Sequence, residues 1–181
     1  MSNQKSVQDY PFISSLEAGA ADFLAEALAL PEEAYVPLPD SSTYVNGRWE
    51  VCLLKLEQYA DDFPDALVDQ NRGRCPKTWA RLSGLEGLMV AGFMRLTPGT
   101  TIPEHVDIRD DNVIRVHLAL QLPEAELTYW RDGTARLMDI RQPHRAKNLS
   151  HRDRITLCCD FRMPDPIPEG SVPPWNPPEV T

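Results

Sequence analysis

The sequence predicts a mainly β domain, built as an antiparallel sandwich or barrel, with one amphipathic helix near its start. Between Leu88 and Phe161, short apolar segments recur between turn signals, which is typical of antiparallel all-β domains. Residues 14–30 instead carry apolar side chains at helical spacing. No change of composition divides the 181 residues, so we expect one domain over residues 1–181.

Residues 1–74 are expected to supply this helix and further elements on the substrate side of the domain. Ser15 is suited to cap the start of the helix, because its hydroxyl can accept a bond from a backbone amide of the first turn. The Asn46-Gly47 pair predicts a tight turn before the strand-like run WEVCLLKL. Residues 57–74 are polar and contain one proline, so we interpret them as a loop.

Residues 75–164 are expected to form the β core. A short helix, PKTWARLSGL, opens it, with Pro76 at the first helical position and Gly84 at its end. The predicted strand segments that follow are GLMVAGFMRL, TTIPEHVDI, NVIRVHLAL, ELTYW, TARLMDI and DRITLCCDF. After Phe161 the chain is rich in proline, which cannot donate to a sheet ladder. Residues 165–181 are therefore interpreted as an extended tail.

Charge and composition narrow the classes of partner. The formal net charge of −9 repels phosphates, so we expect no nucleic-acid partner. No apolar run approaches the roughly 20 residues that a spanning helix needs, and the N-terminus lacks a secretory pattern. We therefore expect a cytoplasmic protein with no membrane partner. The four cysteines show no CxxC spacing, which favours packed thiols over a zinc or redox site.

Two of the four histidines lie in the stretch PEHVDIRDDNVIRVHLAL, which otherwise alternates like a strand. His105 and Asp107 are separated by one residue, so both side chains project from the same face of an extended segment and could share a divalent metal. A second histidine would come from another strand, and His144, which begins the segment PHRAKNLSHRDRITL, is favoured over His117 and His151. An exposed ion pair is the alternative interpretation of the His-X-Asp pair.

Three further basic residues are candidates for an anion pocket. Arg154 opens the apolar strand ITLCCDF, where a guanidinium that points inward needs an anionic partner such as the carboxylate of a 2-oxoacid. The alternative is an ion pair with Asp153 or Asp160. Arg115 and His117 share one face of the strand VIRVHLAL, where they could bond a cosubstrate or be satisfied by backbone carbonyls.

Three segments together resemble a known family. PGTTIPEHVD, NVIRVHLALQLP and PHRAKNLSHRDRITLCCDFRMP are similar to the core of the aspartyl/asparaginyl β-hydroxylase family of iron(II)- and 2-oxoglutarate-dependent dioxygenases. The stretch PKTWARLSGLEGLMVAGFMRLTPG resembles the helix and strand that lead into that core. The resemblance covers roughly residues 75–164 and rests on the order and spacing of the motifs.

The resemblance implies a double-stranded β-helix, also called a jelly roll, of the cupin-like type. It implies iron(II) as the metal, with 2-oxoglutarate and O2 as cosubstrates. The implied metal ligands are His105, Asp107 and His144. The implied cosubstrate-binding residues are Arg154, for the distal carboxylate, with Arg115 and His117 in the same pocket.

The expected activity is hydroxylation of an amino acid or of an aminoacyl or peptidyl residue, free or tethered to a carrier. The β-carbon of an Asp- or Asn-like residue is one option. Weak candidates for holding a substrate carboxylate are Arg72, Arg74, Arg95 and Arg109. Two alternatives stay open. One is a cupin-type metal enzyme that does not use 2-oxoglutarate, and the other is a non-catalytic binding module on the same fold.

Overall fold

A computed structural model describes residues 6–38, 43–57, 63–108 and 110–172 of the protein. Within these ranges it contains three α-helices and eight β-strands. The helices are α1 (Ile13–Ala29), α2 (Asp65–Arg74) and α3 (Pro76–Leu82). The strands are β1 (Val36–Pro37), β2 (Trp49–Leu56), β3 (Leu88–Leu96), β4 (Thr101–His105), β5 (Val113–Gln121), β6 (Ala135–Met138), β7 (His144–Lys147) and β8 (Arg154–Arg162).

The strands form two antiparallel sheets. The larger sheet has the order β1-β2-β3-β8-β5-β6, and the smaller sheet consists of β4 and β7. The pairing is nested, because β3 pairs with β8 in one sheet and β4 pairs with β7 in the other. A chain that folds back on itself in this way, crossing between two sheets, is a double-stranded β-helix. The predicted jelly roll is confirmed.

The two faces of the larger sheet differ in chemistry. On β5, Ile114, Val116 and Leu118 belong to the main hydrophobic core, which also contains side chains of α1. Arg115 and His117 alternate with them and face the smaller sheet, so the predicted shared face of this pair is confirmed. Burial of one apolar side chain contributes about 1.5–3 kcal/mol. Because α1 packs on the apolar face and buries several such side chains, that face of the sheet becomes the core. The polar face is left for the site.

The helix over residues 14–30 is confirmed as α1, but the predicted cap is wrong. The helix begins one residue earlier, at Ile13, and its N-cap is Phe12, which makes no side-chain cap bond. Ser15 lies inside the first turn. Ile13 and Leu16 are fully buried, so packing against the sheet sets the start of the helix, and capping does not.

The predicted loop over residues 57–74 is also wrong where the structure describes it, because α2 occupies its second half. A β-bulge in β2 between Leu53 and Lys55 leaves backbone carbonyls available to side chains. Asn71 Nδ2 donates to the carbonyl of Leu53 at 3.0 Å, and Arg72 Nε donates to that of Leu54 at 2.7 Å. The helix is therefore held by polar bonds to β2, which hydrophobic periodicity does not detect.

One predicted strand is replaced by a turn of helix. The segment ELTYW contains a 3-10 helix, Glu126–Thr128, because the preceding Pro123 starts a helical turn: its carbonyl accepts the amides of Glu126 and Leu127. The short strand β7, which begins at His144, was not among the predicted strands. Its four residues are too few to show an alternating pattern.

Several smaller predictions are confirmed. Asn46 and Gly47 both have positive φ, 55° and 119°, in the tight turn before β2. Pro76 stands at the start of α3. The four cysteines are buried thiols and none forms a disulfide. Residues 163–172 form no strand, whereas residues 173–181, which include Trp175, lie outside the described ranges. No helix in the described ranges is long and apolar enough to cross a bilayer.

Candidate metal centre

Three predicted ligands meet at one end of the smaller sheet. His105 ends β4 and His144 begins β7, and the two residues are direct cross-strand partners. Their ring centroids lie 4.2 Å apart. Asp107 follows two residues later, where its backbone amide donates to the carbonyl of Ile140 at 2.9 Å. The ligand atoms of the three side chains all lie within 4.8 Å of one another, as a shared metal requires.

Both histidines are held in the form that binds metal. His105 Nδ1 lies 2.9 Å from the carbonyl oxygen of Pro103, and His144 Nδ1 lies 2.9 Å from that of Gln142. A carbonyl only accepts, so each Nδ1 carries a proton, and in the neutral imidazole Nε2 is then the nitrogen with a lone pair for a metal. Burial lowers the pKa of His144, which favours the neutral imidazole that coordination needs.

The carboxylate of Asp107 is oriented by Arg115. Arg115 Nη1 donates to Asp107 Oδ2 at 2.8 Å, while Asp107 Oδ1 lies 3.6 Å from His105 Nε2. The other side of the guanidinium is held by Asp160, through Nε to Oδ1 at 2.7 Å and Nη2 to Oδ2 at 2.8 Å. Burial alone lowers the pKa of Arg115, but the carboxylates of Asp160 and Asp107 outweigh it and hold that pKa well above its usual range. Arg115 is therefore a permanent cation.

A pocket lies beside the ligands, between the two sheets. Besides His105 and His144, its polar lining includes Arg115, His117 and Thr156, all from the larger sheet. The rest of the wall is largely apolar, and its apolar side chains are Trp49, Met94, Leu96, Ile102, Met138 and Ala146. Two basic residues, Arg145 and Arg154, complete the lining. Such a combination, apolar walls with a few convergent polar groups, is typical of a small-molecule site.

Arg154 is among the residues that line this pocket, and its partner is an acid that the sequence analysis did not name. Its Nε donates to Glu126 Oε1 at 2.7 Å and its Nη2 to Glu126 Oε2 at 3.1 Å. The Trp130 ring lies 5.6 Å from the guanidinium carbon. The two acids that the sequence suggested lie beside other arginines: Asp160 pairs with Arg115, and Asp153 lies 3.9 Å from Arg95. Glu126 was missed because its segment reads as a strand.

His117 lines the pocket as a neutral side chain. Burial lowers its pKa well below the usual range, and the charges of Arg115 and Arg154 lower it further. Its Nδ1 lies 3.4 Å from the hydroxyl of Thr156. The ring can accept or donate a hydrogen bond there without adding charge.

Three of the four weak substrate candidates lie away from the pocket lining. The described residues that line the pocket do not include Arg72, Arg74 or Arg95. Arg95 stacks on Tyr35 and pairs with Glu50, and Arg72 stacks on Trp79. Arg109 lies outside the described residues. A role for these arginines in substrate binding stays a prediction. His151 is exposed in a bend, as its polar surroundings suggested.

Comparisons with known proteins identify a family and a relative of this chain. The sequence model of the family described as aspartyl/asparaginyl beta-hydroxylase matches residues 17–164. The ornithine lipid ester-linked acyl 2-hydroxylase of Rhizobium tropici is 32% identical over 106 residues, which are 53% of this chain and 37% of that protein. The chain therefore spans well under half the length of this relative.

Solved structures give more distant likenesses. A prolyl-4-hydroxylase of Pseudomonas putida is 20% identical, with a TM-score of 0.42 over 83% of this chain and 87% of that chain. An oxidoreductase of the 2OG-Fe(II) oxygenase family from Burkholderia pseudomallei is 16% identical, with a TM-score of 0.48 over 78% of each chain.

Proposed function

Because this chain belongs to the aspartyl/asparaginyl β-hydroxylase family, we propose that it is an iron(II)- and 2-oxoglutarate-dependent hydroxylase. The observation that carries the proposal is the group of His105, Asp107 and His144, whose ligand atoms lie within 4.8 Å of one another. Two imidazole nitrogens and one carboxylate oxygen are the donor set of non-haem iron(II) oxygenases, and they leave coordination positions for other ligands.

The side chains around these three residues fit such a metal. Each histidine has its Nδ1 bonded to a backbone carbonyl, so its Nε2 faces the site with a lone pair. Arg115 occupies one oxygen of Asp107 and leaves the other beside His105. When bound, iron(II) with 2-oxoglutarate and O2 would supply the oxidising chemistry that converts a C–H bond into C–OH.

The pocket supports 2-oxoglutarate as the cosubstrate. Arg154 offers a buried guanidinium on the pocket wall, which suits the distal carboxylate of a dicarboxylate. Thr156 and His117 lie next to it and can hydrogen-bond the same group. The apolar side chains, such as Met94 and Leu96, exclude water from the carbon chain.

The substrate we propose is an amino acid or an aminoacyl or peptidyl residue. A second candidate is the acyl chain of a lipid ester, which is favoured by the acyl 2-hydroxylase of Rhizobium tropici as a relative and by the apolar lining of the pocket. Mass spectrometry after incubation with iron(II) and 2-oxoglutarate distinguishes the two. A gain of one oxygen on free or carrier-tethered amino acids supports the first candidate, and the same gain on an ester-linked acyl chain supports the second.

The activity itself is tested by the consumption of 2-oxoglutarate and the release of succinate. We expect turnover only with iron(II), and we expect His105→Ala or Asp107→Ala to abolish it, because each removes one of three ligands. His151→Ala, which changes an exposed histidine outside the pocket, is the matched control and should retain full turnover.

Three outcomes would contradict the proposal. Full activity of His144→Ala would move the third ligand to another histidine. Metal-dependent turnover without 2-oxoglutarate would favour a cupin-type enzyme. Failure of the purified protein to bind iron(II) would favour a binding module on the same fold.

A further inference from the structure

Behind the pocket wall lies a buried acid that no step of the proposed reaction uses. Glu126 is 5% exposed and Arg154 is 5% exposed, and the two are bonded through two pairs of atoms. Arg154 lines the pocket, whereas Glu126 is not among the described residues of the lining. The carboxylate therefore contacts the guanidinium from the side away from the ligand space.

The way in which Glu126 binds determines which part of Arg154 is presented. Its two oxygens accept from Nε and Nη2, which form the lateral edge of the guanidinium. A guanidinium has five N–H groups in a rigid plane, so Nη1 and the second proton of Nη2 remain as a terminal edge. That terminal edge can bind a second carboxylate with two parallel bonds.

The same arrangement occurs once more in this pocket, at Arg115. Asp160 takes the lateral edge of that guanidinium through Nε and Nη2. The terminal atom Nη1 then binds a second carboxylate, that of Asp107, at 2.8 Å. Arg115 thus demonstrates within this molecule that an arginine backed by one acid can present its far end to another.

The segment that carries Glu126 is built to keep it in place. Glu126 begins a 3-10 helix, and its carbonyl accepts the amides of Tyr129 and Trp130. The indole of Trp130 donates to the carbonyl of Thr134 at 3.1 Å, and its ring lies beside the Arg154 guanidinium. Two side chains of one turn therefore fix the position of the same cation.

We propose that Glu126 is a positioning residue for the cosubstrate, which holds Arg154 so that its terminal edge faces the distal carboxylate of 2-oxoglutarate. The inference rests on the proposed function. Glu126 acts through Arg154 and does not contact the metal ligands. Its loss lets the guanidinium rotate, so binding of a dicarboxylate weakens while binding of a 2-oxoacid without the distal carboxylate is unaffected.

Calorimetric titration of the anaerobic iron(II)-loaded protein tests this without turnover. For Glu126→Gln we expect the Kd of 2-oxoglutarate to rise about tenfold or more, as is typical when an outer partner of a binding group is removed. The Kd of 2-oxobutyrate, which lacks the distal carboxylate, should change by less than about twofold. Glu124→Gln removes the same charge from an exposed site two residues away and should change neither Kd.

A double-mutant cycle identifies the route of the effect. In the Arg154→Lys background, Glu126→Gln should change the Kd of 2-oxoglutarate by less than about twofold, because the group that it orients is gone. If Glu126→Gln does not fold, Glu126→Asp serves instead, since it keeps the charge but withdraws the carboxylate by one methylene. The same pattern is then expected.

Two results would overturn the inference. Tighter binding of 2-oxoglutarate by Glu126→Gln would mean that Glu126 acts only as a nearby negative charge, and unchanged binding by a folded variant would mean that it orients nothing. No binding of 2-oxoglutarate by the unchanged protein would instead overturn the proposed function together with this inference.

Discussion

At the scale of single residues, two arginines shape the candidate site: Arg115 bonds the candidate ligand Asp107, and Arg154 lines the pocket. Arg115 and Arg154 lie on neighbouring strands of the larger sheet, and each is backed by a buried acid. A lone guanidinium in such a place would be costly, because an unpaired buried charge loses its solvation. Each pairing removes that cost and also fixes the direction in which the remaining N–H groups point.

The orienting role of Arg115 predicts an effect on metal binding. In Arg115→Lys, the planar fork that joins Asp160 to Asp107 is lost, so Asp107 is free to rotate. We expect the Kd for Mn2+, measured by calorimetry, to rise about 10- to 100-fold. Arg162→Lys, which changes an exposed arginine of β8 paired with Asp110, is the matched control. Unchanged metal affinity in Arg115→Lys would refute the orienting role.

The element that places His144 is the turn between β6 and β7. Asp139 accepts from the backbone amide of Arg141 at 3.2 Å and from its Nε at 2.8 Å, which closes an Asx-type turn that ends three residues before the start of β7. Asp139 is 5% exposed, so the carboxylate depends on these partners. Burial raises its pKa, but the bonds from Arg141 outweigh burial, and the pKa is lowered overall.

We expect the contribution of Asp139 to the stability of the fold to depend on pH. A carboxyl group whose pKa is lower in the folded state stabilises the fold above its unfolded pKa, and that contribution disappears as the pH falls through the folded pKa. Asp139→Asn should therefore lower the free energy of unfolding by about 1–3 kcal/mol at neutral pH. Denaturant titration should show the difference shrinking below an ordinary carboxyl pKa of about 3.9.

The exposed Asp110→Asn is the control for this measurement, because its pair with Arg162 is a surface contact. A stability difference between Asp139→Asn and the unchanged protein that persisted at low pH would contradict the assignment of the effect to the charged carboxylate.

Over the whole molecule, the N-terminal segment belongs to the same core as the jelly roll. The ring of Phe12 stacks on that of Phe161 with centroids 3.8 Å apart, and α1 covers the apolar face of the larger sheet. The family match likewise begins at residue 17, well before the resemblance over residues 75–164. The polar face of the sheet stays available for the site because α1 packs on the other face.

Removal of this packing is expected to destabilise the entire domain. Phe12→Ala leaves a cavity against Phe161, and we expect the free energy of unfolding to fall by about 3–5 kcal/mol. Leu28→Ala, at a side chain of α1 that is 58% exposed, should change it by less than about 0.5 kcal/mol. Chemical denaturation of both variants decides the matter, and equal effects would place Phe12 outside the core.

The elements that the sequence predicts best are those in which a local pattern fixes the structure. The alternation of β5, the Asn46-Gly47 turn and the helix at residues 13–29 follow from periodicity and turn chemistry. The polar helix α2 and the 3-10 turn at Glu126 do not, because bonds to distant backbone or a preceding proline stabilise them. The β2 carbonyls that hold α2 are 18 residues away in sequence, so no short-range pattern shows them.

The sequence by itself determined that His105 and Asp107, the first two candidate ligands, share one face, since a His-X-Asp pair on an extended segment must project to one side. Only the tertiary structure decided which acid pairs with which arginine. Asp160 meets Arg115 across neighbouring strands, and Glu126 reaches Arg154 from a separate turn, at sequence distances of 45 and 28 residues. An ion pair over such distances depends on strand register and on packing, both of which are set only when the larger sheet and its neighbouring segments have assembled.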